Sequence, residues 1–173
     1  TGVDYTHPDL YLNIWLNQGE LPSGMALVDA NGDRLITFRD LNHSSNSSFV
    51  SDLNSNGRID GGDLLRDARW ANGTDQDRNG YIDNLIGWDF VNNDNDPYDD
   101  NNHGTHTAGS IGAIGGNGAG VAGVTWDTQI VALKFLSSTG SGAIADAIEA
   151  TDYFTSASLK DQSSGWSSEF VAT

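Results

Sequence analysis

A polar stretch of residues 18 to 102, rich in Asp, Asn, Gly and Ser, dominates the first half of this chain. A stretch that long is no ordinary connecting loop of a compact domain, so it must carry order of its own. Three loop-like units recur in it, starting at Asp29, Asp52 and Asp75, each 23 residues after the one before. With no cysteine in the sequence, disulfides cannot staple them. All but three of the 24 acidic residues are Asp, and the net charge is -16. A solvated acidic surface would carry that charge too, but it would not set Asp in register with Asn and Gly. Short carboxylates and amides alternating in tight loops are the oxygen donors a hard cation such as calcium takes. The same charge argues against nucleic acid or an anionic membrane as a partner. No run of about 18 apolar residues offers a membrane-spanning helix.

A calcium loop of the EF-hand type presents oxygens from positions 1, 3, 5, 7, 9 and 12, position 7 through its carbonyl, with Gly at position 6. Residues 52 to 63 fit this pattern with Asp52, Asn54, Asn56, the Arg58 carbonyl, Asp60 and Asp63, and Gly57 at the turn. Residues 29 to 40 offer Asp29, Asn31, Asp33, Thr37 and Asp40, but Arg34 holds position 6, which should strain the loop. Residues 75 to 86 offer Asp75, Asp77, Asn79 and Asp83, with Gly80 at the turn. Their twelfth residue, Ile86, cannot bind calcium, and Asp89 is a candidate replacement. Loops that end in Asp resemble those of dockerin modules. Metal-free Asx-turn loops are the competing reading for each unit. A fourth acidic run, residues 88 to 102, alternates Asn92, Asp94, Asp96 and the Tyr98 carbonyl as loop ligands do.

The rest of the chain reads as α/β. Residues 1 to 17 suggest a turn followed by an apolar segment. Residues 103 to 114 suggest a helix of small residues. Residues 128 to 136, TQIVALKFL, are the best strand candidate, nearly continuous in apolar character and expected to be buried on both faces. After the turn SSTGSG, apolar positions from Ile144 to Phe154 fall at helical spacing. Strand, turn and helix in that order predict a parallel sheet. Residues 158 to 173 show no clear period.

The string HGTHTAG at 103 to 109, with GWDF upstream and GVAGV downstream, is similar to the histidine motif of subtilisin-like serine proteases. The opening TGVDYTHPDL resembles that family's aspartate motif without its first residue, so Asp4 matches the motif's second aspartate. The resemblance spans residues 1 to 17 and about 86 to 155. It implies a partial subtilisin-like parallel sheet with helices across residues 1 to 173, interrupted by a loop-rich calcium-binding insertion at 18 to 85.

The resemblance assigns His103 as the general base of an Asp-His-Ser triad, and His106 as a structural histidine. A metal held by both rings is the rival reading, since their spacing allows it. It implies that Leu136, Gly140, Ser141 and Gly142 bond an extended substrate backbone, as an added strand does. It makes Asp9 and Asn117 ligands of a further calcium, and Asp89, Asn92, Asp94, Asp96 and Tyr98 ligands in the loop before the histidine. The triad's aspartate would precede Thr1 and its serine would follow Thr173. The expectation is therefore a fragment of a secreted, calcium-stabilised endopeptidase, inactive alone. Its partners would be a polypeptide substrate and the missing parts of its own catalytic domain. A non-catalytic, dockerin-like calcium module that binds a protein partner is the alternative, and a degenerate scaffold that recognises peptides without cutting them is a third.

Overall fold

The computed structural model describes residues 1 to 164, with side chains to residue 158. The elements run α1 (Phe38–Leu41), α2 (Gly61–Leu64), β1 (Gly87–Asp89), α3 (His103–Gly112), β2 (Ala132–Lys134) and α4 (Ile144–Ser164), with short 3-10 turns at Tyr11–Asn13, Gln18–Glu20 and Ser44–Asn46. β1 and β2 pair in parallel, Gly87 opposite Ala132 and Asp89 opposite Lys134. Ile14 extends the arrangement through a parallel bridge to Ile130. The parallel α/β arrangement expected from strand, turn and helix order is present, in small form.

The strand expected over 128 to 136 is regular only at Ala132–Lys134. Ala132 and Lys134 are buried, whereas Val131 and Leu133 are half-buried, so burial on both faces is incomplete. The helix expected near 144 starts there but runs on through Ser164, absorbing the first part of the stretch that showed no period. The remainder of that stretch, 165 to 173, lies outside the described residues.

The acidic segment contributes to the common core. Phe38, Leu41, Val50, Ile59, Leu64 and Trp70 form one cluster with Leu10, Ile14, Leu16, Leu85, Ile86, Ala108, Ala113 and Ala132. Burying a Leu, Ile or Phe side chain stabilises by about 1.5–3 kcal/mol, so these residues bind the segment to the scaffold. A second cluster joins Trp88 and Phe90 to Ala150 and Tyr153 of α4. Tyr153 also accepts a hydrogen bond from the Asn84 amide at 2.6 Å. Ile144 and Ile148 on α4 stay exposed, at 82% and 56%. Among the described residues no helix is long and apolar enough to cross a membrane.

Candidate functional site

The three repeated units fold alike. In each, the residues at positions 4 and 6 have positive φ: Gly32 and Arg34, Ser55 and Gly57, Arg78 and Gly80. Arg34, at φ 75°, therefore adopts the left-handed backbone expected to be strained for a residue with a Cβ. The first carboxylate closes each turn. Asp29 accepts from the Gly32 and Arg34 amides, Asp52 from Asn56 and Gly57, and Asp75 from Asn79 and Gly80. At position 5, Asp33, Asn56 and Asn79 each accept from the amide two residues on.

The first two units end in a helical turn with a capping box. Asp40 accepts from the Thr37 amide and reaches back to the Ala30 amide. Asp63 accepts from the Asp60 amide and from Leu53 and Asn54. Asp60 is fully buried, and its carboxylate accepts from the Asn54 and Asn56 side-chain amides. The Arg58 side chain lies over the Tyr11 ring, donates to the Thr6 carbonyl and keeps its Nε 3.8 Å from the Asp60 carboxylate.

The third unit ends differently. Its chain runs through buried Leu85 and Ile86 into β1, so no helical turn follows and the twelfth side chain enters the core. Asp83 points elsewhere, accepting from the Asn72 and Gly73 amides. Asp89, offered from sequence as the replacement, is instead paired with Lys134 at 3.0 Å and accepts from Val91 and Asn92. The carboxylate that arrives is Glu20, which sequence reasoning did not single out. Glu20 is fully buried and accepts from the Asp77 amide at 3.1 Å, much as Asp63 accepts from Asn54 in the second unit.

Carboxylate oxygens of Glu20, Asp75 and Asp77 lie within 4.8 Å of one another. Oxygens on opposite sides of a calcium ion, each about 2.4 Å from it, would be separated by about that distance. Burial, with repulsion from Asp77 and Asp75, raises the Glu20 carboxyl to about 7 despite the Asp77 amide. A set of clustered anions that resist ionising together is the donor chemistry a divalent cation fits. Among the described residues this is the group of three acidic or histidine side chains that closes so tightly. Among the described residues, neither the acids of the first two units nor His103 or His106 form another group of three with ligand atoms within 4.8 Å of one another.

Asp9 is almost wholly buried and accepts from the Asn117 side chain and the Val121 amide, so the expected Asp9–Asn117 pair is adjacent. In the run before the histidine, Asn92 donates to Asp89, Asp94 accepts from the Asp96 amide, and Asp96 accepts from the Tyr5 hydroxyl at 2.6 Å. The Tyr98 ring packs edge-on against Tyr5.

His103 opens α3 and is exposed. Asn102 ahead of it has φ 79° and makes no side-chain cap. The cap comes from Asp99, whose carboxylate accepts from the Thr105 amide and hydroxyl and from the Asn101 and Asn102 amides. Desolvation pushes the Asp99 carboxyl up, but the bonds from Thr105, Thr1 and Asn101 outweigh it and hold the group at about 2. The Thr1–Gly2 segment lies directly on this first turn. The Gly104 amide donates to the Thr1 hydroxyl, and a Cβ on Gly104 would stand 2.0 Å from the Gly2 carbonyl.

Beyond β2, residues 137 to 141 form a closed turn, Ser137 donating to the Ser141 carbonyl and Gly140 to that of Ser137. Leu136 is half-buried, and Gly140, Ser141 and Gly142 are exposed. Gly142 crosses the backbone too closely for a side chain, its Cβ position 2.0 Å from the Phe135 carbonyl.

The family model of the subtilases, Peptidase S8, matches residues 1 to 165, and the chain belongs to that family. It is similar to Subtilisin-like protease 1 of Plasmodium berghei (strain Anka), 32% identical over 153 residues, covering 88% of this chain and 18% of that protein. Subtilisin-like protease 1 of Plasmodium falciparum (isolate 3D7) is 33% identical over 153 residues, covering 88% and 15%. A Thermophilic serine proteinase of Bacillus sp. (strain AK1) is 44% identical over 69 residues, covering 40% and 17%. The chain thus spans less than a fifth of the length of these relatives.

Proposed function

We propose that residues 1 to 173 are part of a secreted, calcium-stabilised serine endopeptidase, with residues 18 to 85 as an EF-hand-like or dockerin-like calcium insertion within its catalytic domain. His103 is the general base. It takes the proton from the serine hydroxyl as that oxygen attacks the peptide carbonyl, then returns it to the leaving amine. An aspartate that fixes the imidazole and a serine nucleophile come from chain outside this segment. Leu136, Gly140, Ser141 and Gly142 receive the substrate as an added extended strand, which exposed backbone at two glycines permits.

The observation that carries the catalytic reading is the packing of Thr1 and Gly2 on the first turn of α3. Chain entering at Thr1 arrives beside His103, where a carboxylate could reach its ring. Glu20, Asp75, Asp77 and Asn79 would hold one calcium, which supplies positive charge that neutralises the clustered acids. Asp52, Asn54, Asn56, the Arg58 carbonyl, Asp60 and Asp63 offer a second such loop, and Asp29, Asn31, Asp33 and Asp40 a third. Asp9 with Asn117, and the Asp89 to Tyr98 run, are further candidates.

The test is casein cleavage by the complete polypeptide that includes these residues. Activity that disappears in His103→Ala supports the assignment, and activity that survives it refutes the base. The 173-residue chain alone is expected not to cleave casein.

A further inference from the structure

Three consecutive residues just ahead of His103 are fastened to three different places. Asp99 is bonded to Thr105 in the first turn of α3. The Asp100 carboxylate lies 3.0 Å from the Lys134 ammonium on β2. The Asn101 side-chain amide donates to the Ser138 carbonyl, in the closed turn after β2, at 2.6 Å.

Lys134 is the fixed point. It is 4% exposed, and its ammonium also lies 3.0 Å from Asp89, which is fully buried on β1. Removing Lys134 or Asp89 would leave the other's charge buried without its partner, so this pair is the post, and Asp100, with its side chain 41% exposed, joins it from the outer side. Asp100 hangs the 99 to 101 segment on that post. The bonds within 137 to 141 close this exposed turn, and the Asn101 bond both ties it down and sets where it stands relative to α3.

We propose that Asn101 is a positioning residue for peptide recognition. Its amide holds the 137 to 142 turn at a set distance from His103, and the Lys134–Asp89–Asp100 group is the base against which it does so. The proposal rests on the reading of His103 as the base and of Leu136 and residues 140 to 142 as the backbone-binding positions. Asn101 acts through Ser138 and touches no reacting atom. A peptide long enough to lie along 140 to 142 meets a turn already in place and so loses less freedom on binding. Without the amide donor the turn must be ordered by each substrate.

The experiment compares Asn101→Asp, Asn101→Ala and Asn101→Gln in the complete protease, on a short peptide and on one extended to reach 140 to 142. Asn101→Asp keeps the shape but sets an acceptor against the Ser138 carbonyl. The expected result is a KM for the extended peptide about tenfold higher in Asn101→Asp and Asn101→Ala, with kcat down less than about threefold. Asn101→Gln, which keeps the donor, recovers part of the loss. Equal losses in kcat on both peptides overturn the proposal.

His103→Ala is run alongside. If activity survives it, the reading of His103 fails and the decision passes to amide hydrogen exchange on the 173-residue chain. There Asn101→Asp should speed exchange at Gly140 at least about fivefold while the amides within α3 keep their rates. Unchanged exchange at Gly140 overturns the proposal without reference to catalysis.

Discussion

Residues 29 to 83 and residues 99 to 142 both use carboxylates to close turns, Asp99 gathering amides as Asp29 does, but the second region adds close backbone contacts that the first does not rely on. In the acidic repeat, carboxylates fold the backbone around themselves: Asp29, Asp52 and Asp75 each gather two amides, and Asp40 and Asp63 each join the end of a loop to its beginning. Around the histidine, backbone meets backbone where side chains are missing, Gly104 against Gly2 and Gly142 against Phe135. The first arrangement concentrates negative charge and suits a cation. The second leaves peptide groups open at an exposed rim and suits an extended substrate. One region should therefore answer to metal and pH, and the other to steric change and substrate.

The largest effect should separate chemistry from stability. In the complete polypeptide, on the proposed reading, His103→Ala is expected to lower kcat for peptide cleavage by roughly 10⁴-fold or more. Because the ring is exposed, thermal melting should barely move, as is usual for surface substitutions within about 0.5 kcal/mol. A large fall in melting temperature would mean that His103 is structural.

In the repeat, Asp63→Ala removes the acceptor of the Leu53, Asn54 and Asp60 amides. An orphaned buried donor costs about 1–3 kcal/mol, so a loss of about 3 kcal/mol in urea unfolding is expected. Across the molecule, Gly104→Ala drives a methyl into the Gly2 carbonyl and should cost about 1–3 kcal/mol by overpacking. Calcium should offset the first change poorly and the second not at all.

The next effect is in pH. Burial first, and then the neighbouring Asp77 and Asp75, raise Glu20 from 4.5 to about 7. A raised carboxyl favours its neutral form in the fold. Its contribution is fully present below the unfolded value and is lost as pH climbs through about 7. Calcium-free protein should thus melt at lower temperature at pH 8 than at pH 5, and Glu20→Gln should flatten that slope. Asp99 runs the other way: held at about 2, it contributes above its ordinary range and is lost only in strong acid.

Much of this was legible in the chain, and the parts that were not share a cause. The repeat could be read because its Asp, Asn and Gly residues sit at fixed local offsets, and α3 and α4 begin where the sequence placed them. Glu20 could not be read in this way. It lies far upstream of Asp75, and only the fold brings them together; its one signal was being a rare Glu in an Asp-rich chain. Lys134 was similarly hidden, although a lone charge inside an apolar run hints at a buried partner. Asp83 was assigned by spacing and Asp89 by spacing and by the family resemblance; in the fold Asp83 accepts from the Asn72 and Gly73 amides and Asp89 pairs with Lys134, partners that local offsets do not reveal. β2 is shorter than its apolar run because Ile130 serves only as a bridge to Ile14.

The smallest effect is a control. Arg39 and Asp127 pair at 3.5 Å with the Asp127 side chain 94% exposed, so Asp127→Ala should leave the melting temperature essentially where it is.

The most direct test of the account is isothermal calorimetry of calcium into the metal-free 173-residue chain at pH 8. Saturable binding, weakened at least about tenfold by Asp75→Ala or Glu20→Gln and accompanied by a higher melting temperature, is the result expected. Absence of binding heat, or binding indifferent to both substitutions, would contradict it.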